Sequence, residues 1–95
     1  MSTTVVRYTA KPDRADENAK LIENVMAELA DTRPAGLTYR VFRLPDGTFV
    51  HIAEVSAQSN PLLDSPAFKA FTADLGDRVE APPVALPATL VGAYE

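Results

Sequence analysis

The order of its segments constrains this chain more than any single motif does: strand, helix, strand, strand, helix, strand, within 95 residues. Thr3 to Ala10 reads as the first strand, because Val5, Val6, Tyr8 and Thr9 suit a pleated surface. Lys11-Pro12 ends it, since proline cannot donate to a ladder. Asp13 is placed to cap a helix, with Asp16 and Glu17 in the first turn, where the dipole favours acids. The helix runs to about Asp31 with an apolar stripe of Ala15, Ala19, Ile22, Val25, Met26 and Leu29. Asp16, Lys20, Glu23 and Glu28 fall on its solvated side. Thr32-Arg33-Pro34-Ala35-Gly36 stops it.

Leu37 to Leu44 and Phe49 to Val55 read as a hairpin around Pro45-Asp46-Gly47-Thr48, with Asp-Gly the turn signal. A loop of two or of four residues puts Leu44 opposite Phe49. Phe42 then faces His51, Arg40 faces Ala53, Val41 faces Ile52, Tyr39 faces Glu54 and Arg43 faces Val50. After a loop over Ser56 to Asn60, Asn60-Pro61 can start a short helical turn and Ser65-Pro66 a second helix. Phe68, Phe71 and Leu75 recur there at helical spacing, and Gly76 can end the helix. Asp77 to Pro83 reads as an irregular bridge, and Ala88 to Tyr94 as the last strand, with Pro87 at its start.

This βαββαβ order predicts a single α+β domain over residues 1–95 with a ferredoxin-like fold. Right-handed crossovers put both helices on one face of an antiparallel sheet. A solvated second face should be polar, yet both hairpin faces carry large apolar groups. A second copy covering that face is the simplest answer, so a homodimer is expected. Hydrophobic residues make up 46% of the chain, enough for a core, and wholesale disorder is not expected.

Composition narrows the function classes. Net charge is −4 and the basic residues are scattered, which argues against nucleic acid and anionic membrane as partners. Without cysteine there is neither disulfide nor thiolate chemistry. No signal peptide or apolar run long enough to span a bilayer is visible, so a cytoplasmic protein is the default expectation.

Four stretches carry a family resemblance: V-V-R-Y-T-A-K-P before the first helix, G-L-T-Y-R-V-F-R-L, P-D-G-T-F-V-H-I through the hairpin, and N-P-L-L-D-S-P-A-F-K-A-F. With them the chain resembles the antibiotic-biosynthesis monooxygenase superfamily, above all small bacterial members of no assigned activity. The resemblance covers nearly the whole chain and implies a dimeric α+β barrel, with a pocket between helices and sheet. Members include oxygenases that act on phenolic or quinol compounds without metal or flavin. Others degrade haem, which uses a histidine before the Ser-Pro motif and a pocket tryptophan. Leu62 stands at the first position and the chain has no tryptophan, so haem degradation is not implied.

His51 is the single histidine and the candidate catalytic base, since an imidazole titrates near neutrality. The structural alternative is a half-buried histidine bonded to a neighbour. Arg40 and Phe42 join it in the predicted register as substrate-binding residues. Arg7 and Tyr8 project to opposite faces of the first strand, and one of them should reach the pocket. Tyr39 and Glu54, with Arg43 on the same face, can bind a polar ligand or, as the structural alternative, bond to each other or across the dimer interface. Asn60 can orient a ligand or simply cap the turn, while Phe68 and Phe71 can line an aromatic pocket or fill a core. No phosphate loop, metal cluster or serine triad is present, so no metal and no cofactor is expected. One haem or zinc ligand set is also hard to build from a single histidine.

Two functions follow. The first is a cofactor-independent monooxygenase acting on a small hydrophobic or aromatic metabolite, with Arg40, Arg7 or Tyr8 stabilising an anionic oxygen. The second is a non-catalytic dimeric ligand-binding or accessory protein on the same fold.

Overall fold

The computed structural model describes residues 2–95. Strand β1 (Ser2–Thr9) leads into helix α1 (Ala15–Thr32) and then strands β2 (Leu37–Arg43) and β3 (Thr48–Val55). A 3-10 turn (Pro61–Asp64), helix α2 (Pro66–Ala73), short helix α3 (Leu75–Arg78) and strand β4 (Val84–Ala88) complete the chain. The strands form one antiparallel sheet in the order β2-β3-β1-β4. This is the α+β ferredoxin-like arrangement that the element order predicts.

The core lies between the helices and one sheet face, here called the inner face. Tyr8 and Phe49 from the sheet pack with Ile22 and Val25 of α1, Leu62 of the 3-10 turn and Phe71 of α2. Fully burying a side chain such as Phe49 removes enough apolar surface to stabilise the fold by about 2 kcal/mol. Helix α2 begins as its sequence predicts: Ser65 Oγ accepts from the Phe68 N–H at 3.0 Å, and Pro66 occupies the first turn. Asn60 caps the 3-10 turn in the same way, accepting from the Leu62 N–H at 2.9 Å.

Several boundaries differ from the sequence reading. Asp13 does not cap α1; Arg14 holds that position, and its guanidinium reaches forward to Glu17 at 2.8 Å. Glu28 is not fully solvated. Its carboxylate accepts from the Ser65 hydroxyl and from the Ala67 N–H, tying α1 to the start of α2. Gly76 does not end α2, which stops at Ala73; the glycine lies inside α3. The last strand is Val84–Ala88 and not Ala88–Tyr94. Pro87 sits inside it, opposite Thr4, which an edge strand tolerates because half its ladder groups have no partner. Beyond it Val91 and Tyr94 are fully exposed.

The largest correction concerns the hairpin register. Leu44 pairs with Thr48, through a 2.8 Å bond from the Leu44 N–H to the Thr48 oxygen, and not with Phe49. The loop is therefore three residues, Pro45-Asp46-Gly47, closed by a bond from the Gly47 N–H to the Leu44 oxygen at 3.1 Å. Gly47 adopts φ 89°, the left-handed bulge residue that a three-residue hairpin uses. A loop of odd length shifts the pairing by one, and a one-residue slip moves every side chain to the other face. Val41 accordingly faces His51, Phe42 faces Val50, Arg40 faces Ile52, Tyr39 faces Ala53 and Thr38 faces Glu54. Arg40 and Phe42 lie on the outer face, away from His51, and Tyr39 and Glu54 are not neighbours.

Candidate functional site

His51 is buried on the inner face of β3, between β2 and β1. Pairing with Val41 on one side and Val6 on the other places it among inner-face residues of three strands. Tyr8, next but one to Val6 along β1, turns its hydroxyl to within 2.8 Å of His51 Nε2. Tyr39 of β2 brings its hydroxyl to within 2.7 Å of Nδ1. Both ring nitrogens are thus occupied, so a hydrogen bond from a ligand reaches the imidazole only through a tyrosine. Phe71 of α2 packs against the ring with centroids 5.5 Å apart.

The chain of polar groups continues behind Tyr8. Asn18 of α1 donates from Nδ2 to the Tyr8 hydroxyl at 2.8 Å, and its Oδ1 accepts from Arg78 Nε at 3.0 Å. Arg78 donates a further bond to the Phe71 carbonyl oxygen at 2.6 Å, and its guanidinium lies 5.2 Å from the centre of the Phe71 ring. Asn18 is 0% exposed and Arg78 1% exposed, and no carboxylate pairs with this cation among the described residues.

The electrostatics follow from burial. Desolvation pulls the His51 pKa down to about 4, so the ring is neutral at pH 7. Burial pushes the Tyr8 phenol up to about 12, against the opposing influence of the Asn18 bond and the Arg78 charge. Tyr39 is raised as well, by burial first and by Tyr8 second. All three groups rest in their neutral forms.

Over this triad opens a cavity of about 400 Å³. Tyr8, His51 and Tyr39 form one side of it. Val6, Ala53 and Val55 extend the inner sheet face, and Leu62 and Phe68 close it from the helical side. Asn60, Gln58 and Thr4 add polar groups at its margin. The volume suits a small organic molecule, and the lining is mainly apolar with a few convergent polar groups.

Of the residues singled out from sequence, Tyr8, His51, Asn60 and Phe68 meet at this cavity. Asn60 caps the 3-10 turn while also lining the cavity. Phe71 lies behind His51 and belongs to the core. Arg7 is on the outer face and exposed, since β1 alternates and Tyr8 takes the inner side. Arg40 and Phe42 are excluded by the three-residue turn, and Phe42 is 51% exposed. Arg43 does share the inner face, but at its rim, where it pairs with Asp16 at 3.0 Å. Sequence reasoning favours a structural pairing of Tyr39 with Glu54 over a place at the site, and misses Asn18 and Arg78 altogether. Asn18 carried a signal: it falls at core spacing with Ala15, Ile22 and Val25, where a polar residue needs a buried partner. Arg78 carried none.

Comparison with known proteins agrees on architecture. No protein-family model matches the sequence, and no curated protein matches it. Solved structures do. A protein described as a "putative antibiotic biosynthesis monooxygenase" from Nitrosomonas europaea superposes with a TM-score of 0.77 at 13% identity, covering 97% of this chain and 100% of that one. A protein of unknown function from the same organism gives 0.76 at 18% identity, over 99% and 92% of the two chains. One from Caulobacter crescentus, described as the first is, gives 0.73 at 20% identity, over 96% and 90%. The chain has the fold of this group. At such identities the likeness shows the fold alone, and the chemistry must be argued from the cavity. No helix among the described residues is long and apolar enough to cross a membrane.

Proposed function

We propose that the protein binds a small hydrophobic metabolite with a phenolic or enolisable oxygen in the cavity over His51, and oxidises it as a cofactor-independent monooxygenase. The observation that carries this reading is the Tyr8–His51–Tyr39 triad set into an otherwise apolar cavity of about 400 Å³. The reaction class needs little from a protein. The ionised substrate itself supplies electrons to dioxygen. At an activated CH2 carbon one oxygen atom enters as a carbonyl, and the other leaves as water with the two hydrogens of that carbon. The protein's task is to hold the ionised oxygen and keep solvent away, and preorganised donors in a dry site do this best. Tyr39 is the hydroxyl in position to meet that oxygen, with His51 fixing it from behind. Asn60 and Phe68 orient the ring.

The same reading includes a homodimer joined through the outer sheet face. Phe42, Val84 and Leu86 are exposed there, and a specific interface over them should exceed ~1,000 Å² of buried surface. The absence of cysteine means that stability asks nothing of an oxidising compartment, in keeping with a cytoplasmic protein.

A second reading, ligand binding without turnover, draws on the neutrality of His51 and the full engagement of its nitrogens. One experiment separates the two. A thermal-shift screen with phenolic and quinol ligands identifies binders, since a ligand of the folded state raises apparent stability. Oxygen uptake is then followed with those binders. The enzyme reading expects uptake that falls ~10²-fold in His51→Ala, within the range for acid–base groups. Tight binders that consume no oxygen establish the second reading.

A further inference from the structure

The buried polar chain has a direction, and the direction can be deduced from donor chemistry. Arg78 has only donors, so the Asn18 oxygen must face it and the Asn18 amide nitrogen must face Tyr8. The Tyr8 oxygen therefore accepts from Asn18. Its own hydrogen has one remaining partner among the described residues, His51 Nε2 at 2.8 Å. A neutral imidazole carries one hydrogen, which then sits on Nδ1 and is donated to the Tyr39 oxygen at 2.7 Å. The opposite arrangement makes Tyr8 accept twice and leaves its buried hydroxyl hydrogen without a partner, which is costly. Tyr39 accepts from the ring, so its own hydrogen is turned toward the cavity that it lines.

We propose that this one-way chain, anchored on the buried Arg78 cation, makes Tyr39 a fixed hydrogen-bond donor that selects ligands presenting an anionic or strongly accepting oxygen: a phenolate, an enolate or a ring ketone. The inference rests on the reading that the cavity takes an oxygenated aromatic ligand, and it names which form of that ligand fits. Successive donors polarise one another, and a positive charge at the far end reinforces the last O–H. A neutral phenol can accept from Tyr39 as well, but its oxygen is the weaker acceptor and its own hydrogen then finds no acceptor on Tyr39, so the ionised form gains more from the same donor. Asn18, Tyr8 and His51 are then positioning residues, and Tyr39 is the one member of the chain that bonds to the ligand oxygen.

The ring tautomer is the direct readout. The single histidine gives one pair of imidazole nitrogen signals in a ¹⁵N-labelled protein. At neutral pH we expect a hydrogen on Nδ1 and a bare Nε2. A hydrogen on Nε2 overturns the direction. Asn18→Asp keeps the shape but offers only acceptors, so Tyr8 turns its hydrogen toward the new carboxylate, Nε2 becomes the donor and the cavity end becomes an acceptor. The tautomer should switch. Affinity for 4-nitrophenolate, whose colour distinguishes the ionised from the neutral probe, should fall at least tenfold.

Should Asn18→Asp not fold, Tyr8→Phe removes the donor to Nε2, and the tautomer should become mixed. An unchanged tautomer in the folded variant, or a wild-type protein that binds the neutral probe in preference, overturns the proposal. A correct tautomer in a protein that binds neither form of the probe overturns the ligand assignment together with the proposed function. Binding of the probe with the wrong tautomer leaves that function standing and removes only the direction.

Discussion

The two faces of the same sheet obey opposite rules. On the inner face every buried polar side-chain atom among the described residues has a partner, down to a cation that forms no ion pair. On the outer face the large apolar side chains Phe42, Val84 and Leu86 stand about half exposed. The strands are the same and the residues alternate along them, so burial alone decides which chemistry is tolerated. The inner face can hold a polar network because helices seal it and every donor is matched. The outer face carries apolar groups at a scale that solvent does not reward, and this is what a second copy would bury.

The sharpest way to break the contrast is to unmatch the inner network. Arg78→Leu leaves the Asn18 Oδ1 and the Phe71 carbonyl oxygen without their donor in a dry setting. We expect a loss of about 3 kcal/mol or more in denaturant unfolding, since each orphaned acceptor carries its desolvation cost. A loss under about 1 kcal/mol means that the network is not structural.

Acid should expose the same network. The His51 pKa falls from the ordinary 6.5 to about 4 on folding. As pH drops through 6.5 the unfolded chain takes up a proton that the folded chain refuses until about 4. The unfolded state then binds more protons, so stability declines across that window and levels off below it, by up to about 3 kcal/mol. His51→Asn should flatten the decline relative to wild type, measured by urea titrations between those limits.

The outer face should respond in association and not in folding. Phe42→Glu places a charge where a partner copy would sit. Sedimentation should show dimer dissociation strengthened roughly thirtyfold, about 2 kcal/mol, as for an interface hot spot. A wild-type monomer at micromolar concentration removes the dimer, and the outer face is then merely a tolerated apolar surface. The smallest effect is expected at the start of α2, the helix whose Phe68 lines the cavity. Ser65→Ala removes the cap of α2 and its bond to Glu28 and should cost about 1 kcal/mol, read as a shift in the urea midpoint.

What could be read early and what could not follows one division. Element types and order were legible because periodicity and capping residues act locally: the helical stripe through Ile22 and Val25, Asn60-Pro61, and Ser65-Pro66. The position of the last strand is not, because Pro87 reads as a strand entrance, and only its place at the sheet edge makes it acceptable inside one. His51 and Tyr8 were visible as isolated candidates. Tyr39 lay one register step out of reach, since a loop of two or four residues assigns it Glu54 while a loop of three gives it Ala53 and a bond to His51.

The amino-acid sequence by itself determined the βαββαβ order, the side of α1 that is buried, and the caps that begin the 3-10 turn and α2. Each of these depends on residues within a turn or two of one another. Tertiary structure alone decided which sheet face holds the cavity and which residues complete it. Gly47 in a left-handed conformation adds the third loop residue that sets the face. Arg78 reaches Asn18 across 60 positions of chain, and Asn18 reaches Tyr8 across 10. Such bonds are chosen by the packing of α1 and α3 against the sheet. Local pattern holds no record of them, because each partner is polar for the sake of a residue it meets only once the chain has folded.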